Sequence, residues 1–326
     1  MTKKIMLSLA LIAVVALSAC APAATPQPAA DSASGAQLKV LATTALVGDA
    51  VRVVGGDKID LTVLLPAGAD PHSYEASPQD VAAISNASVV FANGAHLEEW
   101  LEPVIENAGA ADKLVEVSDG ITLLDLSAEE EAAEAAEHAE EGAAAESEEA
   151  HAGNPHVWTD PNNIIVWVQN IAAALSKADP ANAAAYQANA EAYTAQLRDL
   201  DTWIRSQVEQ IPAANRIIIT DHLVFGYFAE EYGFQQVGAV IPGYSTLSSP
   251  SAQELAAIED AIKNLKVKAV FVGNSLNDSL VQRVTDDTGV QMVHIYTESL
   301  SDAAGPAATY LDFMRYDVNA FVEALQ

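Results

Sequence analysis

Residues 181–210 read ANAAAYQANAEAYTAQLRDLDTWIRSQVEQ, and their apolar positions decide the architecture. Tyr186, Tyr193, Leu197, Leu200, Ile204 and Val208 recur at intervals of three, four or seven, which places them on one face of a helix. At ~1.5 Å per residue such a helix extends ~45 Å. That is long for a helix inside one lobe and suits a strut between two.

The flanks agree with that division. Upstream, "LKVLATT", "IDLTVLLP", "SVVFANG" and "KLVEVSDG" read as strands. Helical stretches lie between them, at residues 44–54, at 78–84 with Ser77 as N-cap and Pro78 first, and at "LEEWLEPVIENAG". A further helix follows Pro161. Downstream, "RIIIT", "QQVGAVIP", "KAVFVG" and "QMVHIY" alternate with four more helical segments, the last being "TYLDFMRYDVNAFVEAL". Alternation of this kind implies an α/β fold, each lobe a mostly parallel sheet flanked by helices. The expected boundaries are an N-terminal lobe over residues 37–178, the linking helix over 179–211 and a C-terminal lobe over 212–326.

The chain opens with an export signal over residues 1–20. Lys3 and Lys4 precede a nearly continuous apolar run from Ile5 to Leu17, too short for a membrane span of ~20 residues. Leu17-Ser18-Ala19-Cys20 follows. Cys20 is the only cysteine among 326 residues, so an intramolecular disulfide is impossible. Residues 21–36, rich in Ala, Pro and Ser, read as a flexible tether. The formal net charge of -30 argues against a nucleic-acid partner, which would need clustered Lys and Arg. Residues 129–149 hold ten Glu and no Lys or Arg, and lack an apolar stripe. They read as an acidic surface loop within about residues 127–153.

Of seven histidines, three sit in distinctive turns. Asp70-Pro71-His72, Asn154-Pro155-His156 and Asp221-His222 each put an imidazole beside a short polar side chain. Neutral imidazole is the commonest ligand for transition metals near neutral pH. His222 follows Ile219 by three residues and Glu298 follows Tyr296 by two, at the ends of predicted strands, where open α/β sheets bind ligands. A single histidine in a loop is ordinarily just hydrogen-bonded; it is the set of three that points to a metal.

"GADPHSYEASPQD", "NGAHLEEWLEP", "NPHVWTDPNN", "DHLVFGYFAEEYGF" and "YTESLSDAAGPAATYLDFMRYDVNAFVEAL" resemble, in order, stretches of the cluster A-I metal-binding lipoproteins that serve bacterial ABC importers of zinc and manganese. The resemblance implies two α/β lobes on one rigid helix, with His72, His156, His222 and Glu298 as metal ligands. The family usually has Asp where this chain has Glu298. It also implies that many manganese-binding members carry a second carboxylate at the position of Gly273. The loss of that carboxylate leans toward Zn2+, with Mn2+ as the alternative, and Glu at position 273 would be expected to favour manganese. "LSAC" resembles a lipoprotein cleavage box, making Cys20 the lipid attachment site on the outer face of the membrane or in the periplasm. The implied partners are a membrane permease and the divalent ion, with the protein a monomer. Zinc-type members often carry an acidic, His-containing loop; here His138 and His151 would be weak collecting ligands.

Asp70, Glu75, Asp160 and Asp221 are candidates to orient the ligand imidazoles. Tyr74, Trp158, Phe225 and Tyr227 read as cleft walls. His96 reads as a surface residue and His294 as a structural histidine in a buried strand. An enzyme is the rival class, since three His on zinc with an open position would activate water. No HExxH or G-x-S-x-G stretch supports it, and the fourth ligand would close the site. A surface adhesin is a third class, on which the sequence is silent.

Overall fold

The computed structural model describes residues 37–124 and 153–326. The export signal, Cys20, the tether, and the acidic stretch with His138 and His151 lie outside the described residues.

Two four-stranded sheets, all parallel, form the framework. The first contains β1 (Leu38–Ala42), β2 (Ile59–Val63), β3 (Val89–Ala92) and β4 (Leu114–Glu116) in the order β2-β1-β3-β4. The second contains β5 (Ile217–Thr220), β6 (Gln235–Ala239), β7 (Ala269–Val272) and β8 (Gln291–His294) in the order β6-β5-β7-β8. Parallel neighbours need crossovers, and the helices provide them. In the first lobe these are α1 (Ala45–Gly55), α2 (Pro78–Asn86) and α3 (Leu101–Ala108). The central strands β3 and β7 are buried along their whole length, as sheets covered on both faces require.

The chain passes from the first sheet to the second through α4 (Pro161–Ala178) and α5 (Ala183–Val208). The latter is one unbroken 26-residue helix, about 39 Å long at ~1.5 Å per residue. Its six apolar positions read from the sequence are all buried, joined by Ala190. It packs on α4, α1 and the closing helix. The second lobe adds α6 (Gly226–Tyr232), α7 (Ala252–Leu265), α8 (Ser279–Thr288) and α9 (Tyr310–Leu325).

Local signals set many of these boundaries. Ser77 caps α2 and Ser251 caps α7 in complete capping boxes with Asp80 and Glu254. Each cap contributes about 1 kcal/mol. Gly233, at φ 71°, ends α6 in the left-handed conformation that favours glycine. One expected helix is shorter at its start. The segment read as helical from Leu97 becomes regular only at Leu101, after a run of turns that opens with Ala95 and His96 at positive φ (51° and 61°). The turn points Glu98 inward, where it accepts bonds from Thr43 Oγ1 and the Asn93 and Gly94 amides. His96 itself is exposed.

A single apolar cluster runs through both lobes, from Val40 and Val47 through Val157 and Trp158 to Phe225, Phe271 and Phe321. Two smaller clusters lie on the other faces of the sheets. Polar pins add direction to this packing: the Tyr310 amide donates to Asp49 Oδ2 at 2.8 Å, and Tyr310 Oη donates to the Trp158 carbonyl at 2.8 Å. His294 departs from expectation. β8 is an edge strand, and the His294 side chain is 59 % exposed, 3.9 Å from Asp278.

Candidate metal centre

Three different loops and one strand end bring the four expected residues together. The ligating atoms of His72, His156, His222 and Glu298 lie within 4.8 Å of one another. His156, His222 and Glu298 are fully buried, and the His72 side chain is 7 % exposed. His156 Nε2 is 3.3 Å from both His72 Nε2 and His222 Nε2. Glu298 Oε1 lies 2.7, 3.2 and 3.6 Å from the Nε2 atoms of His72, His222 and His156. All three imidazoles thus present Nε2 to one point, with a carboxylate oxygen beside them.

The two Asx-Pro-His segments use one device. Asp70 Oδ1 accepts from the His72 amide at 2.9 Å, and Asn154 Oδ1 accepts from the His156 amide at 2.9 Å. In both, a short side chain two residues earlier closes a turn over proline and aims the histidine. Asn154 Oδ1 also lies 2.9 Å from His156 Nδ1, so an N–H there leaves Nε2 free to ligate. At His222, Asp221 Oδ1 plays the same part, 2.6 Å from Nδ1 and 2.7 Å from the amide. Asp221 was a sequence candidate for this role; Asn154 was not, although it stands two residues before its histidine just as Asp70 does. Asp70 orients His72 through the backbone rather than the ring. Glu75 is exposed, and Asp160 instead caps α4 through the Asn162 amide. Neither orients a ligand.

Glu298 is held from behind. The Tyr296 amide donates to the buried Asp317 at 2.9 Å, and the Thr297 carbonyl accepts from Trp158 Nε1 at 2.8 Å. Trp158 also packs edge-on to His156, as does Tyr244, which the sequence did not single out. Tyr227 hydrogen-bonds the Asn154 carbonyl at 2.7 Å; Tyr74 packs on Trp100 and Phe225 on Phe228 and Phe321. Only Trp158 of the four expected wall residues touches a ligand ring among these contacts.

Electrostatics single out this cluster. Burial pulls the His156 imidazole down to about 3, outweighing Glu298, so it is neutral at any physiological pH. Burial also opposes charge on His222, but the Glu298 and Asp221 carboxylates overcome it and push this imidazole up to about 10. Glu298 is desolvated too, yet His222 and His72 hold its carboxyl well below the usual carboxylate range. Oε1 is nevertheless buried without a regular hydrogen bond. A carboxylate oxygen so placed, with imidazole nitrogens around it, is suited to a cation.

Gly273, which the resemblance aligns with a second carboxylate in manganese-binding members, is closely packed. A Cβ there would lie 2.0 Å from Thr297 Oγ1, and the Gly273 amide donates to Asp221 Oδ2 at 2.5 Å. A larger side chain at this position would require Thr297 to move. Gly273→Ala is expected to destabilise the protein by roughly 1–3 kcal/mol, as overpacking of a buried site does. An unchanged denaturation midpoint would mean that Thr297 can simply move aside.

This is a two-lobe α/β protein in which three histidines and a glutamate form a buried cluster that could hold a metal ion. Residues 40–324 match the family described as zinc-uptake complex component A, periplasmic, and the chain belongs to that family. It is 34 % identical over 295 residues to the manganese-binding lipoprotein MntA of Halalkalibacterium halodurans, covering 90 % of each chain. It is 31 % identical to the manganese ABC transporter substrate-binding lipoprotein PsaA of Streptococcus mitis, covering 96 % of each. Among solved structures, the periplasmic zinc-binding protein TroA of Treponema pallidum superposes with a TM-score of 0.77 at 28 % identity, over 89 % of this chain and 99 % of that one.

Proposed function

We infer that this chain is the solute-binding lipoprotein of a divalent-metal ABC importer and that its cargo is zinc. His72, His156, His222 and Glu298 hold the ion, and a membrane permease receives it. The protein acts as a monomer outside the cytoplasmic membrane, with Cys20 as its lipid anchor. It is a carrier and not an enzyme, because four protein donors leave a tetrahedral ion no open position for water.

One observation carries the choice of metal. A regular tetrahedron around zinc, with bonds of ~2.0–2.1 Å, has edges of about 3.3 Å. Five of the six donor separations, 2.7, 3.2, 3.3, 3.3 and 3.6 Å, leave room for an ion of that size, and the chemistry of the donors is what favours zinc. Three imidazoles and one carboxylate form a nitrogen-rich set, whereas manganese favours oxygen. The manganese reading rests on the names of relatives at 34 % and 31 % identity. Metal analysis of protein purified without chelator, followed by competition between the two ions, separates them. Zinc should be retained at one equivalent and should displace manganese; manganese displacing zinc from the site would overturn the assignment.

A further inference from the structure

We propose that Asp70, Thr246 and Ser299 form a latch across the mouth of the metal site that sets how fast the ion leaves. The proposal rests on the functional reading above and concerns residues outside the ligand set. His72 is the only ligand side chain with any exposure, so the shortest way out passes beside it. Its loop belongs to the first lobe and is anchored there by Trp100 Nε1, which donates to the Pro71 carbonyl at 2.8 Å.

The same loop is also tied to the second lobe at two points. Thr246 Oγ1 donates to Asp70 Oδ2 at 2.6 Å, while Asp70 Oδ1 takes the His72 amide. The Gly68 amide donates to the Oγ of Ser299, the buried neighbour of Glu298, at 2.7 Å. Thr246 is not a free strand of chain either. Its loop is fixed to the His222 segment, since the Leu223 amide donates to the Gly243 carbonyl and the Ile241 amide to the Asp221 carbonyl. The first-lobe loop bearing His72 is therefore stitched to both second-lobe ligand segments, one through Thr246 and one through Ser299.

An ion held by ligands from both lobes leaves only when one side lets go. The side that can do so is the His72 loop, and these bonds must break with it. A hydrogen bond to a charged acceptor such as Asp70 is among the stronger kind, so its loss should speed release about tenfold. The capture rate, set by diffusion into the mouth, should change far less. Asp70, Thr246 and Ser299 are positioning residues in this scheme.

The test uses the full chain in Thr246→Val, Thr246→Ser and Ser299→Ala forms, loaded separately with zinc and with manganese. Release is followed by stopped flow into a chelating dye. Off-rates should rise about tenfold in Thr246→Val and in Ser299→Ala, with on-rates within about threefold and the metal-free melting temperature lowered by no more than about 4 °C. Thr246→Ser, which keeps the hydroxyl, should restore the natural off-rate. Unchanged off-rates, an effect on capture alone, or no rescue by serine would each overturn the latch. If the natural protein takes up neither ion at one equivalent, it is the functional reading that fails; one equivalent with unaltered release sinks the latch alone.

Discussion

His156→Ala should lower zinc affinity by at least about a hundredfold. Zinc sites of four protein ligands hold their ion with roughly 10–16 kcal/mol, so each ligand accounts for about a quarter of that. His156 is the ligand to remove first. It is fully buried, lies 3.3 Å from each of the other two ring nitrogens, and is neutral and ready to ligate at any physiological pH. Its side chain also meets Trp158 and Tyr244, so the alanine leaves a cavity and some loss of stability is expected alongside. Circular dichroism checks that the variant folds; chelator-competition titration then reads the affinity. A folded His156→Ala protein with natural affinity would remove this residue from the site.

The second large effect is on pH. In the metal-free protein His222 is protonated up to about pH 10, because Glu298 and Asp221 outweigh its burial. Zinc must displace that proton from Nε2, whereas His156 brings none. Binding should release about one proton from His222, and zinc affinity should rise about tenfold from pH 7 to pH 8. Calorimetry in buffers of different ionisation enthalpy counts the proton directly. An affinity independent of pH over this interval would show that His222 is already neutral.

The same charges govern the stability of the metal-free protein, with opposite signs. His222 has a folded pKa above its ordinary 6.5, so its contribution is complete below pH 6.5 and is lost as pH rises toward 10. Glu298 is depressed below 4.5, so its contribution is present above that pH and is lost as pH falls further. The pair thus stabilises the metal-free state most between those values. Above neutrality, stability should come increasingly from the bound ion.

The sequence by itself determined the element types and their order, while the metal-ligand candidates, Glu298 above all, came from its resemblance to a family. The element types are local properties. The apolar period of α5, the caps at Ser77 and Ser251, and the Asx-Pro-His turns are written in residues a few positions apart. Tertiary structure decided what depends on neighbours distant in sequence. Which strand stands at an edge follows from sheet order, so His294 is exposed although its segment reads as a buried strand. Whether a side chain fits at Gly273 depends on Thr297, from a different strand end. That Asp70 meets Thr246, 176 positions away, follows only once the two lobes are packed together. Sequence periodicity records which face of an element is apolar. It does not record what that face or its flanking loops will meet, and the convergence of the four metal-ligand candidates is a property of those meetings.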